Sequence, residues 1–324
     1  AATPPGLKWF PSWKTGMVAG IVVSGFGLAS LYIAPLAAWM LGAWGLSSTM
    51  LFFGIAFAVA VSVLSLLLVN PPKGHKPEDL FDKPEDAPGA PAPVIASGGD
   101  VPPSRMLKRP GFWVLWTAYA VGAGAGLMVI SSVAGMAKSS LGEMAFVAVA
   151  LLAVGNAAGR IVAGTLSDKI GRTRTLRLML IFQAVLMFVA VPIIGAESPG
   201  ALILVLLATL IGFNYGTNLA LFPSLCKDRY GLKNFGMNYG LMFTAWGVGG
   251  FVLSRVSQMF VKSAGDVAGK YTWSFVTAGI LLIAAAFLTR LLGERPREDQ
   301  EPDATEDAEA SVSAPLGRTP RLGG

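Results

Sequence analysis

Arg160 is the residue whose chemistry stands out most, because it lies within an apolar stretch that runs from Met144 to Leu166. A charge at the centre of a bilayer costs roughly 3 kcal/mol on insertion scales, so such a residue usually faces a bundle interior or a water-filled path. A guanidinium presents a planar fork of N–H donors that holds a carboxylate through paired hydrogen bonds. Arg160 is therefore predicted to bind an anion; the alternative is a structural arginine that pairs with helix carbonyls or snorkels to the interface.

Other polar residues interrupt the apolar stretches of the chain. Asn156 lies four residues before Arg160, on the same face of a helix, where it can orient the guanidinium or bond a ligand oxygen. Four more polar side chains stand in other apolar stretches: Tyr119, Asn214, Tyr215 and Asn218. These residues either line a cavity or form hydrogen bonds between adjacent helices, and the sequence leaves both roles open.

The elements that must position these residues are membrane helices. The chain has 324 residues, 53% hydrophobic and 14% charged, with a mean hydropathy of +0.60. Soluble domains average about 25% charged residues. Apolar stretches of about 18 residues or more predict membrane helices. An all-α, polytopic membrane protein is expected, with about eight spans at residues 17–38, 47–69, 111–136, 144–166, 175–195, 200–222, 237–261 and 272–292.

The basic residues follow the same division. When the predicted loops are assigned alternately to the two sides of the membrane, one side holds only Lys138, Lys262 and Lys270, and nearly all other Lys and Arg residues fall on the opposite side. The positive-inside rule places the basic side in the cytoplasm. We therefore expect a multi-pass protein of the cell (inner) membrane, in contact with lipid, with its linker and C-terminus in the cytoplasm. The net charge of +6 then reflects topology, and no nucleic-acid partner is expected.

Composition divides the chain into four parts. Residues 1–70 are predicted to hold the end of one helix and two complete helices. Residues 71–109 form a proline-rich, polar linker of a kind that stays extended or disordered. Residues 110–293 hold six helices, and residues 294–324 form a tail that is predicted to be disordered. Because the chain does not begin with Met and its first ten residues resemble the end of a helix, an N-terminally truncated sequence is expected.

The residue inventory does not predict an enzyme. Cys226 is the only cysteine and His75 the only histidine, so an internal disulfide or a thiol metal cluster is excluded. The sequence contains no nucleophile–base set or phosphate-binding loop. Neither a metal nor another cofactor is expected.

A loop after the fourth predicted helix carries a second group of candidate residues, Gly164-x-x-x-Asp168-Lys169-x-Gly171-Arg172. Gly171 suits a positive φ after a helix end, and Gly164 suits close contact between helices. Asp168 can pair with Arg172 or face the positively polarised N-terminus of a neighbouring helix. A contact of this kind that breaks in another conformation would serve as a gate. A plain basic loop would only fix the topology, and the residues alone favour neither interpretation.

This loop resembles the signature loop of the major facilitator superfamily in its second-half copy. Three further segments resemble the oxalate/formate antiporter family, namely Lys8–Gly20 before its fifth helix, Met106–Trp116 at the start of its seventh and Asn238–Gly240 at the start of its eleventh. The resemblance covers nearly all of residues 1–293. It implies a twelve-helix transporter with the major facilitator fold, of which this chain holds helices 5–12.

The resemblance also implies a substrate site. Arg160 matches the arginine of the eighth helix that binds the substrate carboxylate in this family and in related monocarboxylate transporters. Trp246 falls where the oxalate transporter has a second cation, a lysine. Two cations suit a dicarboxylate and one suits a monocarboxylate, so lactate, pyruvate or formate is expected in preference to oxalate. Packing is an equally supported role for Trp246. The candidate substrate residues are Arg160, Asn156, Trp246, Tyr119, Asn214 and Tyr215.

The function expected from these patterns is secondary active transport of small organic anions by alternating access, with the substrate near the membrane midplane. Protons or a counter-anion are candidate coupling partners. Asn156 offers no obvious proton acceptor, whereas animal monocarboxylate carriers tend to have an acidic residue there. Two alternatives are an exporter of drugs or other neutral solutes, which has less need for a buried arginine, and a non-transporting membrane sensor, for which the chain offers no signalling domain.

Overall fold

The computed structural model describes residues 3–72, 75, 100–141, 145–194, 200–264 and 271–292. These residues are almost entirely helical and contain no strand, which confirms the predicted all-α class. The helices are α1 (Thr3–Lys8), α2 (Thr15–Leu66), α3 (Pro103–Met106), α4 (Pro110–Leu141), α5 (Ala145–Ile170), α6 (Arg172–Ile194), α7 (Ala201–Tyr230), α8 (Phe235–Ala264) and α9 (Thr272–Leu288).

Helix α2 consists of two arms that meet at Gly45. The backbone of Gly45 (φ 74°, ψ 176°) lies outside the helical region, in a conformation that glycine adopts without a steric penalty. As one straight helix, the 52 residues of α2 would extend about 78 Å. The two helices predicted at 17–38 and 47–69 correspond to these two arms.

Contacts at the two ends of α2 show that the chain reverses direction. The indole N–H of Trp9 donates a hydrogen bond to the Val69 carbonyl at 2.9 Å, and Lys8 Nζ donates to Asn70 Oδ1 at 3.1 Å. Residues just before and just after α2 are therefore neighbours, although a straight helix would hold them far apart. The arms run in opposite directions, as two consecutive membrane spans must.

Six of the described helices are long and apolar enough to cross a membrane: Thr15–Leu66, Pro110–Val129, Val149–Ile170, Arg172–Ile194, Leu202–Tyr230 and Thr272–Leu291. The first of these contains both arms of α2. Helix α8 has 30 residues, but its glycines and Arg255 make it less apolar, and it falls outside this set. The polytopic helical architecture is thus as predicted, whereas a span at 237–261 rests on the length of α8 alone.

Helix α5 is at the centre of the packing that positions the candidate site. It packs on α7 and on the first arm of α2, while α4 packs on α8 and α6 packs on α9. The core is rich in buried aromatic side chains, among them Phe112, Tyr119, Phe222 and Phe275. Beyond Gly45, Thr49 is the one buried residue of α2, so the second arm exposes nearly all of its apolar side chains.

The end of the predicted linker is folded, which differs from the extended chain expected there. The N–H of Val101 donates to the Tyr230 carbonyl at 3.1 Å, and Asp100 Oδ1 accepts from the Lys233 N–H at 2.8 Å. Val101 and Met106 are buried, so apolar anchors hold this segment against the bundle. Most of the linker and the whole tail from 293 lie outside the described residues, and their disorder stays a prediction.

Candidate functional site

Arg160 is completely buried, with 0% of its surface exposed. Its Nε donates to Asn156 Oδ1 at 3.1 Å, as the spacing of four residues allows, and its Nη1 donates to the Val23 carbonyl of α2. Its Nη2 has no hydrogen-bond partner within the described residues. The guanidinium carbon lies 5.2 Å from the centroid of the Phe26 ring. One edge of the guanidinium is thus held by protein, and the two N–H donors of the buried Nη2 have no partner within the described residues.

Close contact between α2 and α5 places Arg160 in this position. A Cβ atom at Gly20 would lie 2.4 Å from the Arg160 carbonyl oxygen, and one at Gly27 would lie 3.2 Å from the Ala157 nitrogen. Only glycine fits at the first of these positions without displacing the backbone of α5. The two helices are therefore near enough for the arginine side chain to reach the Val23 carbonyl.

Three tyrosines from other helices lie near the guanidinium. The phenol groups of Tyr215, Tyr119 and Tyr239 are all near enough to interact electrostatically with Arg160. The hydroxyl oxygens of Tyr119 and Tyr239 are 3.5 Å apart, and the Trp246 indole N–H donates to the Tyr215 hydroxyl at 2.8 Å. The structure thus brings together Arg160 and four of the other predicted substrate residues, Asn156, Tyr119, Tyr215 and Trp246.

Ring contacts connect these groups into what we term the aromatic wall, which consists of Tyr119, Phe222, Tyr239, Phe243 and Trp246. Tyr119 stacks on Phe222 with centroids 4.0 Å apart, and Phe243 stacks on Trp246 at 5.5 Å. Tyr239 lies 5.7 Å from Phe243. The wall combines apolar faces with two phenol hydroxyls and an indole N–H beside the only cation of this cluster.

The two predicted asparagines of α7 have backbone partners. Asn214 Nδ2 donates to the Met179 carbonyl of α6 at 2.9 Å, and Asn218 Nδ2 lies 3.4 Å from the Asn214 carbonyl. Asn214 therefore joins two helices, which is one of the two roles that the sequence left open. Its Oδ1 has no hydrogen-bond partner among the described residues.

The second group of candidates lies where α5 ends beside the beginning of α2. Asp168 Oδ1 accepts from the Gly16 N–H at 3.0 Å, and Asp168 Oδ2 accepts from the Met17 N–H at 2.8 Å. These amides belong to the first turn of α2, where helix N–H groups lack intrahelical partners and the helix dipole favours a negative charge. A Cβ at Gly164 would lie 2.2 Å from the Gly16 carbonyl oxygen.

Arg172 connects the same contact to α7. It forms ion pairs with Asp168 at 2.6 Å and with Asp228 at 3.0 Å, and its Nη2 donates to Thr15 Oγ1 at 3.0 Å. We term the set Thr15, Gly16, Asp168, Arg172 and Asp228 the charged latch. It joins α2, which precedes the linker, to α5, α6 and α7, which follow it.

The loop predicted here is shorter than expected, because α5 continues to Ile170 and α6 begins at Arg172. Gly171 has φ +95°, a left-handed conformation that favours glycine, and it separates α5 from α6. Lys169 is exposed in the last turn of α5.

Sequence reasoning missed Asp228 and Phe26. The predicted helix 200–222 left Asp228 in a loop, whereas α7 extends to Tyr230 and ends at Gly231, which has φ +79°. A glycine just after a basic turn is a standard helix stop and could have indicated the longer helix. Phe26 carries no polar group, so only its place in a repeated pattern, described below, marks it.

Comparison with known proteins gives the class of the molecule. The family model of the Major Facilitator Superfamily matches residues 7–254. This chain belongs to that superfamily. Helical segments with the length of membrane spans and a helix-to-helix latch of charged residues agree with this membership.

Individual relatives have low sequence identity to this chain. The chain is 29% identical over 240 residues to the oxalate:formate antiporter of Oxalobacter formigenes, covering 74% of this chain and 53% of that protein. It is 27% identical over 255 residues to an uncharacterized MFS-type transporter of Escherichia coli K12, with 75% and 56% covered. It is 25% identical over 285 residues to monocarboxylate transporter 13 of Bos taurus, with 86% and 60% covered. The chain thus spans little more than half the length of these relatives.

Proposed function

We propose that the protein is a secondary active transporter of small organic anions, in particular monocarboxylates such as lactate, pyruvate or formate, and that it works by alternating access. Membership of the major facilitator superfamily supports membrane transport. The names of two relatives, an oxalate:formate antiporter and a monocarboxylate transporter, support carboxylates as the substrate class.

The observation that carries the proposal is that the charge of Arg160 is buried and has no counter-charge among the described residues. Its guanidinium is fully buried, and no carboxylate pairs with it in the described part of the chain. A buried charge without a counter-charge is costly, so an anion that reaches the free Nη2 offsets a penalty that already exists. The neutral-solute alternative gives this arginine no comparable partner.

The surroundings of Arg160 favour one carboxylate over two. The aromatic wall presents phenol and indole groups. Trp246 occupies the position at which a dicarboxylate transporter would be expected to have a second cation. Phenol hydroxyls can donate to the second carboxylate oxygen or to a keto or hydroxyl group. Apolar ring faces suit a short hydrocarbon tail. These features support a monocarboxylate over oxalate.

In this proposal the charged latch is the gate on the cytoplasmic side of the membrane. Its bonds hold the first turn of α2 against the end of α5. Their rupture would let the part before the linker move away from the part after it, as alternating access requires. Of the residues predicted for this gate, Gly164, Asp168 and Lys169 lie in α5, Gly171 connects the two helices, and Arg172 begins α6. Asp168 and Arg172 make the direct contacts.

The experiment that tests the proposal is uptake of radiolabelled pyruvate into proteoliposomes that contain the purified full-length gene product. We expect uptake by the wild type and none above background for Arg160→Ala. Arg255→Ala is the matched control, because Arg255 is an exposed arginine on another helix, and it should retain uptake. Uptake by Arg160→Ala at the wild-type rate would overturn the assignment of Arg160.

The same preparation distinguishes the two coupling modes. Faster uptake with an acidic exterior would indicate proton symport, and faster uptake only with formate or lactate inside the vesicles would indicate anion exchange. Absence of wild-type uptake for formate, lactate, pyruvate and oxalate under both conditions would contradict the proposed function as a whole.

A further inference from the structure

The first arm of α2 and helix α8 carry the same sequence pattern. It reads Gly-Met-x-x-Gly-x-x-x-Ser/Thr-x-Phe/Trp-Gly and begins at Gly16 in one copy and at Gly236 in the other. Both helices begin one residue before this pattern, at Thr15 and at Phe235. The pattern therefore occupies the same place in each helix.

The two copies also share a local hydrogen bond. Ser24 Oγ donates to the Ile21 carbonyl at 2.6 Å, and Thr244 Oγ1 donates to the Leu241 carbonyl at 2.7 Å. Ser24 and Thr244 are equivalent in the pattern, and the acceptor is three residues earlier in both. Equivalent residues thus have equivalent geometry, which supports α2 and α8 as corresponding elements of an internal repeat.

Phe26 and Trp246 are the equivalent aromatic residues of this pattern, and each contacts the site around Arg160. The Phe26 ring lies 5.2 Å from the Arg160 guanidinium carbon. Trp246 donates at 2.8 Å to the hydroxyl of Tyr215, one of the phenols near Arg160. Two corresponding helices therefore each place one ring in the site, Phe26 beside the guanidinium and Trp246 beside Tyr215.

We propose that Phe26 and Trp246 form an aromatic clamp that selects the part of the substrate beyond its carboxylate. This inference rests on the proposed function and deepens it, because it assigns substrate preference to two named side chains. The carboxylate takes the free Nη2 of Arg160, and the short tail of the substrate packs against the two rings.

Phe26 presents exposed apolar surface beside the buried guanidinium. Its side chain is 68% exposed, although its ring lies beside a fully buried guanidinium. The ring lies beside the guanidinium, whose buried Nη2 has no hydrogen-bond partner within the described residues. An apolar surface beside an anion site favours a ligand that has both a carboxylate and a nonpolar body. Formate lacks such a body, whereas pyruvate and lactate each have a methyl group.

The test compares KM for formate and for pyruvate in proteoliposome uptake by the wild type and by Phe26→Ala. We expect KM for pyruvate to rise about 10-fold in the variant, and KM for formate to rise less than about 3-fold, because a missing apolar contact affects only the substrate that makes it. Phe26→Trp keeps a ring at the position and should restore the preference for pyruvate.

Phe251→Leu is the matched control. The Phe251 ring is 65% exposed and lies 5.5 Å from the guanidinium carbon of Arg255, so it makes the same kind of contact away from Arg160. The control should leave both KM values unchanged.

Two results would overturn the inference. Equal changes for formate and pyruvate in Phe26→Ala would show that Phe26 supports the fold or the arginine without contacting the substrate tail. Unchanged KM values for both would show that the ring has no part in substrate preference.

If the wild type transports neither substrate, the proposed function fails and this inference fails with it. Wild-type uptake with an unaltered preference in Phe26→Ala overturns only the clamp.

Discussion

The first arm of α2 and helix α8 carry one sequence pattern in two different surroundings. Along α2 the pattern glycines lie against α5. A Cβ at Gly16 would lie 2.4 Å from the Gly164 carbonyl oxygen, and one at Gly20 would lie 2.4 Å from that of Arg160. Along α8 the equivalent glycines have no described atom within 4 Å of the place where a Cβ would stand; these are Gly236, Gly240 and Gly247.

The difference shows that glycine spacing permits a close helix contact without determining where the contact forms. Helix α8 packs on α4 through glycines of another face, since a Cβ at Gly249 would lie 2.0 Å from the Ala120 carbonyl oxygen. Helix α2 meets α5 because α5 supplies two matching features, the small residue Gly164 and the carboxylate of Asp168. The close contact therefore depends on the residues of both α2 and α5.

The largest effect is expected from Gly164→Leu. The Cβ of the new side chain would lie 2.2 Å from the Gly16 carbonyl oxygen, and neither helix backbone can yield without losing neighbouring contacts. We expect the free energy of unfolding to fall by about 3 kcal/mol or more. Thermal unfolding of the detergent-solubilised 324-residue chain measures this loss.

Gly240→Leu in the same chain is the matched control and should leave the unfolding temperature unchanged. An equal fall for Gly240→Leu would contradict the contrast between the two helices, because it would show that the glycine face of α8 is also covered.

A smaller effect is expected from Asp168→Asn. The amide keeps one acceptor oxygen for the first turn of α2 but loses its charge, so the ion pair with Arg172 and the interaction with the helix dipole both weaken. We expect a loss of about 2 kcal/mol, typical of a charged hydrogen bond. Asp100→Asn is the control at α8, where the exposed Asp100 accepts from the Lys233 N–H. An equal loss in the two variants would show that the latch adds nothing beyond one ordinary bond.

The smallest effect is expected from Trp246→Phe. This change keeps the ring but removes the indole N–H that donates to Tyr215 at 2.8 Å. The cost to unfolding should be about 1 kcal/mol, the value of a typical hydrogen bond. Phe26, its counterpart in α2, has no polar atom, so Phe26→Leu should cost less. The reverse order in thermal unfolding would contradict the idea that hydrogen bonding distinguishes the two clamp positions.

The sequence predicts the elements of the fold well, because long apolar stretches leave helices as their only stable form in lipid. It also allows Asp168 to pair with Arg172 or to face a helix N-terminus, since the helix dipole favours a negative charge there. It does not predict which helix supplies that N-terminus. The identity of α2 follows from contacts between segments separated by about half of the chain, which no local pattern records.

The site was predictable only in part for a related reason. Arg160 and Asn156 are four residues apart, so their hydrogen bond follows from helix geometry alone. The partners of Asn214 and Trp246 depend on how α7 faces α6 and α8. A polar residue in an apolar helix shows that a partner exists, but neither its chemistry nor its spacing identifies the carbonyl of Met179 or the hydroxyl of Tyr215.

The most direct test of the central claim, that buried Arg160 holds a carboxylate, is binding measured without transport. Thermal unfolding of the purified protein would be followed as pyruvate is added, with acetamide as a neutral control solute. At 100 times its dissociation constant, a ligand stabilises the folded state by about 2.7 kcal/mol. We expect pyruvate to raise the unfolding temperature of the wild type and of Arg255→Ala. It should leave the unfolding temperature of Arg160→Ala unchanged. An equal rise in Arg160→Ala and the wild type would contradict the claim.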